Sequence, residues 1–437
     1  MAGLAVGVDV GSSSARAIAI DADGAVRGEA RAGYPAAAGW PPGRADPEAW
    51  RRGVAAALEI LRAAVPDAAV PKAICVGGQS PTTVPAAGGL AVTCRHPAGA
   101  TEPPADQHQR QFDVLRAELG PDVVPMQVWD WLTAHLGGAP HQARWPGDPI
   151  MPGYGEVVRT GEVVGVADGS DNLHPGTPLV AGAQDAFLAF WAAGTDIPGR
   201  ALDPGGRTGG LGVAVERASR PNMLYTLQSA AREVDIVGGP VNGHGLMLEW
   251  LSGVSARPIE ELLAEAARVP VGSRGVVVLP YIEGERAPRW NRHLRAEVAG
   301  ISAATGPGEL TRAILESTAY GLAHIADELA SFGVYADVLV CGGSPSRSRL
   351  WCSIKASVLE MPVEIPDYPD LAAYGAALAA GSGLGWWPKP GQGPPGSWPR
   401  LPVEVIKPEP RAEYRAGYRR FLDLGNAAVA RLVAREE

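Results

Sequence analysis

A strand, a glycine turn and a second strand occur twice in this chain, about 200 residues apart. No other feature limits the fold as much. The first copy is LAVGVDV (4–10), the turn Gly11-Ser12-Ser13-Ser14 and ARAIAID (15–21). The second lies around GGRTGGLGVAVE (205–216). Short apolar, β-branched runs bounded by glycine are buried strands. After the first copy, Asp21-Ala22-Asp23-Gly24 turns into a third strand. A helix follows at 47–64, opened by Pro47, and AICVGG (73–78) is a strand ending in glycines. The run is βββαβ. A chain that begins such a unit twice is expected to form two similar α/β domains with a cleft between them. The expected domains are 1–198 and 199–437, joined near Gly194–Pro204. A length of 437 residues suits two or three domains at about 150 residues each.

Further along, the spacing predicts helices over 111–120 and 124–138, and a strand, turn and helix over 177–194. Helices are expected at 246–253, 259–269 and 309–333, with a strand at 276–281. Residues 336–351 read as strand, glycine turn and helix. Residues 85–110 look irregular, the Trp- and Pro-rich stretch 383–404 reads as a surface excursion, and 409–435 as a closing amphipathic helix.

Composition removes several classes. With 38 basic and 47 acidic residues the net charge is −9, so no overall field draws the chain to nucleic acid. Cys75, Cys94, Cys341 and Cys352 form no C-x-x-C, and the eight histidines no H-E-x-x-H, which leaves idle thiols and no zinc pattern. No apolar run is long enough for a membrane span. Met1–Ile20 lacks a basic flank and carries Asp9, unlike a secretory signal, so a cytoplasmic location is expected.

Three glycine turns bear chemistry. In Asp9-x-Gly11-Ser12-Ser13-Ser14-x-Arg16 the turn offers amides and hydroxyls that suit a phosphate, and Asp9 is placed to hold Mg²⁺ through water. An ordinary Gly/Ser hairpin fits the same residues. In Ala181-Gly182-Ala183-Gln184-Asp185 the aspartate opens a helix, where it can accept a proton from an attacking hydroxyl or simply cap the first turn. In Gly342-Gly343-Ser344-Pro345-Ser346-Arg347-Ser348 the glycines let a ligand approach the backbone. There is no P-loop and no protein-kinase motif set.

Together these pieces resemble the FGGY carbohydrate kinase family, most closely its xylulokinase-like members, over about residues 5–425. The most specific stretch is 342–363, where Gly342, Gly343, Ser348, Trp351, Ile354, Ala356, Pro362 and Val363 match the family signature. Gly284-Glu285-Arg286-Ala287-Pro288, Glu316-Ser317-Thr318-Ala319, Gly375-Ala376-Ala377 and HPGTPLVAGAQD (174–185) support it. The resemblance implies an α/β fold of two actin-like, ribonuclease-H-like domains flanking an ATP/sugar cleft. It implies transfer of the γ-phosphoryl group of MgATP to a hydroxyl of a small sugar or polyol, such as the ketopentose xylulose. Asp185 would be the general base and touch the acceptor, and Asp9 would support Mg²⁺. Gly11, Ser12, Ser13, Ser14 and Arg16, then Arg207, Thr208 and Gly209, then Gly342, Gly343 and Ser344, would hold the nucleotide. Phosphoryl transfer needs positioning, charge neutralisation and a base, and the three turns supply one each. Family members are often dimers, so the resemblance leaves a homodimer open, and the chain itself shows no decisive interface pattern.

The chain also departs from the family. Gly206-Arg207-Thr208-Gly209 stands where G-T-S-G is usual, and Arg207 either clamps phosphate or faces solvent. Ser353, Ser357 and Glu360 replace the signature's Gln, Asp and Gly. On the sugar side, Gly78-Gln79-Ser80-Pro81-Thr82 replaces G-Q-M-H-G, so Gln79 and Ser80 are the expected acceptor contacts. The family's L-W-x-D-x-R is missing; either Asp106, His108 or Arg110 substitutes, or the polar loop is simply solvated. The competing readings are a non-catalytic relative that binds nucleotide or sugar and, more distantly, another actin-like ATPase.

Overall fold

The structure is a computed structural model that describes residues 3–34, 41, 43–93, 96, 107–146, 155–217 and 225–436. Cys94 and Asp106 lie outside the described residues. The chain divides into two compact units, one of Met1–Asp196, Leu227–Val234 and Asp370–Leu401, the other of Ile197–Thr226, Asp235–Pro369 and Pro402–Glu437. A single division at 198/199 is therefore corrected: the chain re-enters the first unit at Asp370 and leaves it after Leu401.

In the first unit, β1 (Ala5–Val10), β2 (Ser14–Ile20) and β3 (Val26–Gly33) form an antiparallel run after which α1 (Pro47–Ala64) packs on β2 and β3. Asp46 caps α1 by accepting from the Glu48 amide, and Pro47 opens it, which is why the helix starts where it does. A small sheet is made of β4 (Arg44–Ala45), β6 (Thr82–Pro85), β7 (Ala91–Thr93) and β8 (Pro125–Gln127). The main sheet adds β5 (Ala73–Gly78), β11 (Val163–Val166) and β12 (Pro178–Val180) in the order β11-β12-β5-β1-β2-β3. β9 (His141–Arg144) and β10 (Glu156–Arg159) pair separately. α2 (Gln107–Leu119), α3 (Val128–His135) and α4 (Asp185–Ala192) complete the N-terminal part.

All six residues of β1 are buried, as expected of a central strand covered on both faces. One cover is α9 (Leu371–Gly383), which lies between β1 and α4. Its small residues allow this approach: a Cβ on Gly7 would stand 2.1 Å from the Ala377 nitrogen, and one on Gly375 2.2 Å from the Leu188 carbonyl oxygen. The Gly375-Ala376-Ala377 motif is thus a packing requirement.

Two expectations change here. Residues 124–138 are not one helix: Pro125–Gln127 is strand β8, paired with β6, and α3 begins only at Val128. Gln127 has extended backbone, φ −76° and ψ 155°, which ends the strand and starts the helix. The stretch 383–404 is not a surface excursion either. Trp387 and Trp398 are buried, the Trp387 indole N–H donates to the Leu378 carbonyl at 2.8 Å, and Trp398 meets Trp191 edge-on at 5.6 Å. Indoles with satisfied N–H groups are cheap to bury and fill large volumes.

The second unit repeats the first unit's core pattern. β13 (Arg200–Asp203) pairs antiparallel with β14 (Gly209–Glu216) and parallel with β19 (Val338–Cys341), as β1 pairs with β2 and β5. The second sheet adds β15 (Tyr225–Gln228), β16 (Val234–Val241), β20 (Val363–Pro366) and β21 (Val403–Ile406), in the order β15-β16-β14-β13-β19-β20-β21. β17 (Val277–Leu279) and β18 (Glu297–Ala299) form a two-stranded ladder. The helices are α5 (His244–Ser255), α6 (Ile259–Ala266), α7 (Pro307–Ser331), α8 (Arg349–Leu359) and α10 (Ala412–Glu436). Among the described residues no helix is long and apolar enough to cross a membrane.

Candidate functional site

In the first unit, the parallel strands β1, β5 and β12 end at one edge of the sheet, where open α/β sheets bind ligands. Three loops are tied together there. The Gln79 amide donates to the Val10 carbonyl at 2.9 Å, and the Gly78 amide to the Ala183 carbonyl at 3.3 Å. Gly78 also bridges Gln184. The turn before Asp185 fits only because residue 182 is glycine, since a Cβ would stand 1.8 Å from the Val76 carbonyl oxygen. Asp9, Gly11–Arg16, Gln79, Ser80 and Asp185 are thereby gathered within one unit.

The first turn is closed by the Gly11 amide donating to the Ser14 carbonyl at 3.2 Å. Ser12 and Ser13 are exposed, whereas Ser14 is buried and its hydroxyl accepts from the Arg31 guanidinium at 3.0 Å. Ser14 therefore braces the hairpin, and Ser12 and Ser13 carry its open face. The Arg16 guanidinium bridges two carboxylates, Asp9 Oδ2 at 3.3 Å and Asp370 Oδ1 at 3.1 Å. The other oxygen, Asp9 Oδ1, is buried with no partner among the described residues.

Asp185 is the first residue of α4, and its carboxylate accepts from the Ala186 amide at 2.7 Å. Burial first, and the charge of Asp9 second, push its carboxyl up to about 8, against the Ala186 N–H and Arg16. Burial raises Asp9 to about 6, with Arg16 opposing and Asp370 adding to the rise. Buried carboxylates raised by burial and by a neighbouring carboxylate fit a site completed by a cation. Among the described residues no group of three or more His, Cys, Asp or Glu can hold a metal alone. The donor set suits a cation such as Mg²⁺, which takes one or two carboxylates and fills its octahedron with water and substrate phosphates.

In the second unit, the other two turns pack against each other. A Cβ on Gly205 would lie 2.2 Å from the Gly342 carbonyl oxygen, and the Gly342 amide donates to the Asp203 carbonyl at 2.9 Å. The Gly343 amide donates to Pro369 at 2.8 Å, and Ser344 is exposed just beyond it. The first amides of α5 are already used, Gly245 on the Gly206 carbonyl and Leu246 on that of Arg207. The Arg207 side chain pairs with Glu249 at 2.9 Å, both partly exposed, so a phosphate there competes with a carboxylate. Thr208 and Gly209 close the same turn.

Sequence reasoning missed what anchors these turns. Asp203 Oδ1 accepts from the Gly205 and Gly210 amides at 3.1 and 3.3 Å. Its Oδ2 meets the Lys355 ammonium at 2.5 Å and His244 Nε2 at 3.4 Å, and all three side chains are buried. Lys355 also lies over the Trp351 ring at 5.0 Å. The available signal was Lys355 itself, one of only four lysines, placed inside the family-like stretch. Asp370 was missed as well, because its partner Arg16 lies far away in sequence.

Residues 226–384 match the FGGY family of carbohydrate kinases, C-terminal domain. This stretch is an FGGY C-terminal domain. It holds the Gly342-Gly343 turn, Lys355 and the α9 motif. A glycerol kinase of Gloeobacter violaceus is 33% identical over 219 residues, 48% of this chain and 44% of the relative. A gluconokinase of Bacillus subtilis is 26% identical over 221 residues, 47% and 43%. The chain thus matches less than half the length of these relatives. Among solved structures, the xyloylose kinase of Brucella ovis superposes with a TM-score of 0.80 at 21% identity, covering 98% of this chain and 99% of that one. The whole chain has the two-domain, actin-like fold of FGGY sugar kinases.

Proposed function

We propose that this protein is an ATP-dependent carbohydrate kinase that transfers the γ-phosphoryl group of MgATP to a hydroxyl of a small sugar or polyol, with a ketopentose such as xylulose the first acceptor to test. The observation that carries this reading is the pairing of Asp185, raised by burial and by the charge of Asp9, with a buried Asp9 whose Oδ1 is unpartnered among the described residues and whose Oδ2 meets Arg16. Asp185 is the general base: ionised, it takes the proton of the acceptor hydroxyl as the oxygen attacks phosphorus. Gln79 and Ser80 contact the acceptor. Ser12, Ser13, the Gly11 turn and Arg16 receive phosphate oxygens, with Ser14 bracing the turn. In the second unit Gly342, Gly343 and Ser344, with Thr208 and Gly209, lie along the nucleotide, and Arg207 reaches phosphate by exchanging Glu249 for it. Asp9 would hold Mg²⁺, which would supply positive charge favouring the ionised form of Asp185.

The test is acceptor-dependent ADP release with xylulose, gluconate and glycerol. The expected result is turnover of at least one acceptor, abolished in Asp185→Asn while ATP binding persists. Full activity in that variant sinks the assignment of the base. The Arg207–Glu249 pair favours a second reading, a relative that binds without turning over. Nucleotide binding with no turnover across the panel supports that reading instead.

A further inference from the structure

We propose that His108 is a positioning residue for the acceptor: clasped between Gln127 and Ser80, its imidazole fixes the Ser80 hydroxyl as a hydrogen-bond donor toward an oxo oxygen of the acceptor, a keto or carboxylate oxygen. This rests on the kinase reading and names the acceptor class within it.

His108 lies in the first turn of α2, where the family's sugar motif is missing. Its Nδ1 is 3.3 Å from Gln127 Nε2, and its Nε2 is 3.3 Å from Ser80 Oγ. With the Gln127 amide oriented so that Nε2 faces the ring, this nitrogen donates, Nδ1 accepts and the ring proton sits on Nε2. That N–H then donates to Ser80 Oγ. With one lone pair of Ser80 occupied, its own hydrogen is directed away from the ring. Burial, and then the charge of Arg144, bring the His108 imidazole down to about 4, so it stays neutral and keeps this polarity.

The segment behind Ser80 is fixed. Gln111 donates to the Pro81 carbonyl at 2.9 Å and accepts from Thr83 at 2.8 Å. Ser80 itself is partly exposed, two residues beyond the Gly78 that bridges Gln184. A merely structural stitch of α2 to β8 would need neither the partly exposed hydroxyl nor a defined proton direction. A fixed O–H donor matches an oxygen that carries no hydrogen of its own. Ketoses and aldonates offer one, and glycerol does not.

The test combines kinetics with ¹⁵N-histidine NMR on the full chain. Ser80→Ala and His108→Ala are expected to raise the KM for xylulose or gluconate roughly five- to tenfold, the worth of one neutral hydrogen bond. The KM for ATP should not move. The double variant should be no worse than either single one, because both break the same contact. Gln127→Glu keeps the shape but accepts from Nδ1–H, so it moves the proton and reverses the relay. It should raise the oxo-acceptor KM and switch the NMR signature from Nε2–H to Nδ1–H, and it serves if His108→Ala fails to fold. Turnover with an unmoved acceptor KM in Ser80→Ala, or an Nδ1–H tautomer in the parent, overturns the proposal and leaves the kinase reading standing. Calorimetric binding of xylulose or gluconate that Ser80→Ala loses, without turnover, upholds the proposal and overturns the kinase reading. Neither binding nor turnover overturns both.

Discussion

The Arg16 guanidinium pairs with Asp9 and Asp370 and acts on Asp185 only through its charge, so the carboxylates outnumber the guanidinium that balances them. The imbalance has a thermodynamic consequence. Both aspartates have folded-state values above the ordinary 3.8, about 6 and about 8. Between those limits the folded protein binds more protons than the unfolded chain, so stability falls as pH rises. Their contribution is fully present below about pH 4 and is lost as pH passes through 6 and then 8. In metal-free buffer with EDTA, Asp185→Asn should therefore melt a few degrees above the parent at pH 8.5 and level with it at pH 4, by differential scanning calorimetry. A parent that gains stability from pH 5 to 8 relative to the variant would contradict the burial and charge argument. A functional carboxylate held against its own solvation is the usual origin of such a trade between activity and stability. Glu360 shows a smaller residue-scale exchange. It ends α8 at φ 54°, a left-handed position that the family signature fills with glycine, and its side chain is held by Arg415 at 2.8 Å.

At the scale of elements, a buried ion pair ties three pieces of the second unit together. Asp203 at the end of β13 receives Lys355 from α8 and His244 from α5, and its other oxygen holds the glycine turn. Lys355 and then His244 hold the Asp203 carboxyl far below the usual carboxylate range against the cost of burial, and Asp203 holds the Lys355 ammonium above its own. The depressed value of Asp203 means its contribution is complete above about pH 4 and lost only in stronger acid, while that of Lys355 is lost only in strong base. Lys355→Met leaves a buried carboxylate without its main partner and should cost about 3–5 kcal/mol in urea unfolding near pH 7, with Asp203→Asn/Lys355→Met recovering most of it. A loss below 1 kcal/mol would show that His244 and the two amides suffice. The elements differ in how legible they were. The β1–β2 and β13–β14 hairpins were plain, because glycine turns between β-branched runs are local signals. So was the start of α1, where Asp46 and Pro47 act within one turn. β8 was hidden inside an apolar run that suits a helix equally well, and only its pairing with β6 decides. The candidate site followed the same rule. Asp9, Asp185 and the glycine turns stand in local motifs, whereas Asp370 reaches Arg16 across more than 350 residues and left no trace in the pattern.

At the scale of the molecule, the chain is not two successive beads. α9 and the Trp-rich segment after it belong to the first unit, although about 170 residues of the second precede them. The reason is packing: β1 is buried on both faces, and the Ala- and Gly-rich α9 covers one of them. Trp398 then closes the aromatic group of Trp145, Phe187 and Trp191, and the Trp191 and Phe187 side chains come from α4, the helix that begins with Asp185. A fragment cut at the apparent boundary, residues 1–198, would expose the β1 face and this aromatic group to water. Burial is worth roughly 25 cal/mol per Å² of apolar surface, so uncovering this face together with the aromatic group takes away a large part of the about 5–15 kcal/mol by which a domain is stable. The fragment 1–198 is expected to be insoluble or molten, with far-UV but no near-UV circular dichroism. Joining residues 1–196 to residues 368–402 through a flexible linker should restore a cooperative thermal transition and the near-UV signal of the tryptophan cluster. Cooperative unfolding of 1–198 alone would mean that α9 merely decorates the sheet. In that case Gly375 need not be small, and Asp185 would keep its position without the helix that now backs α4.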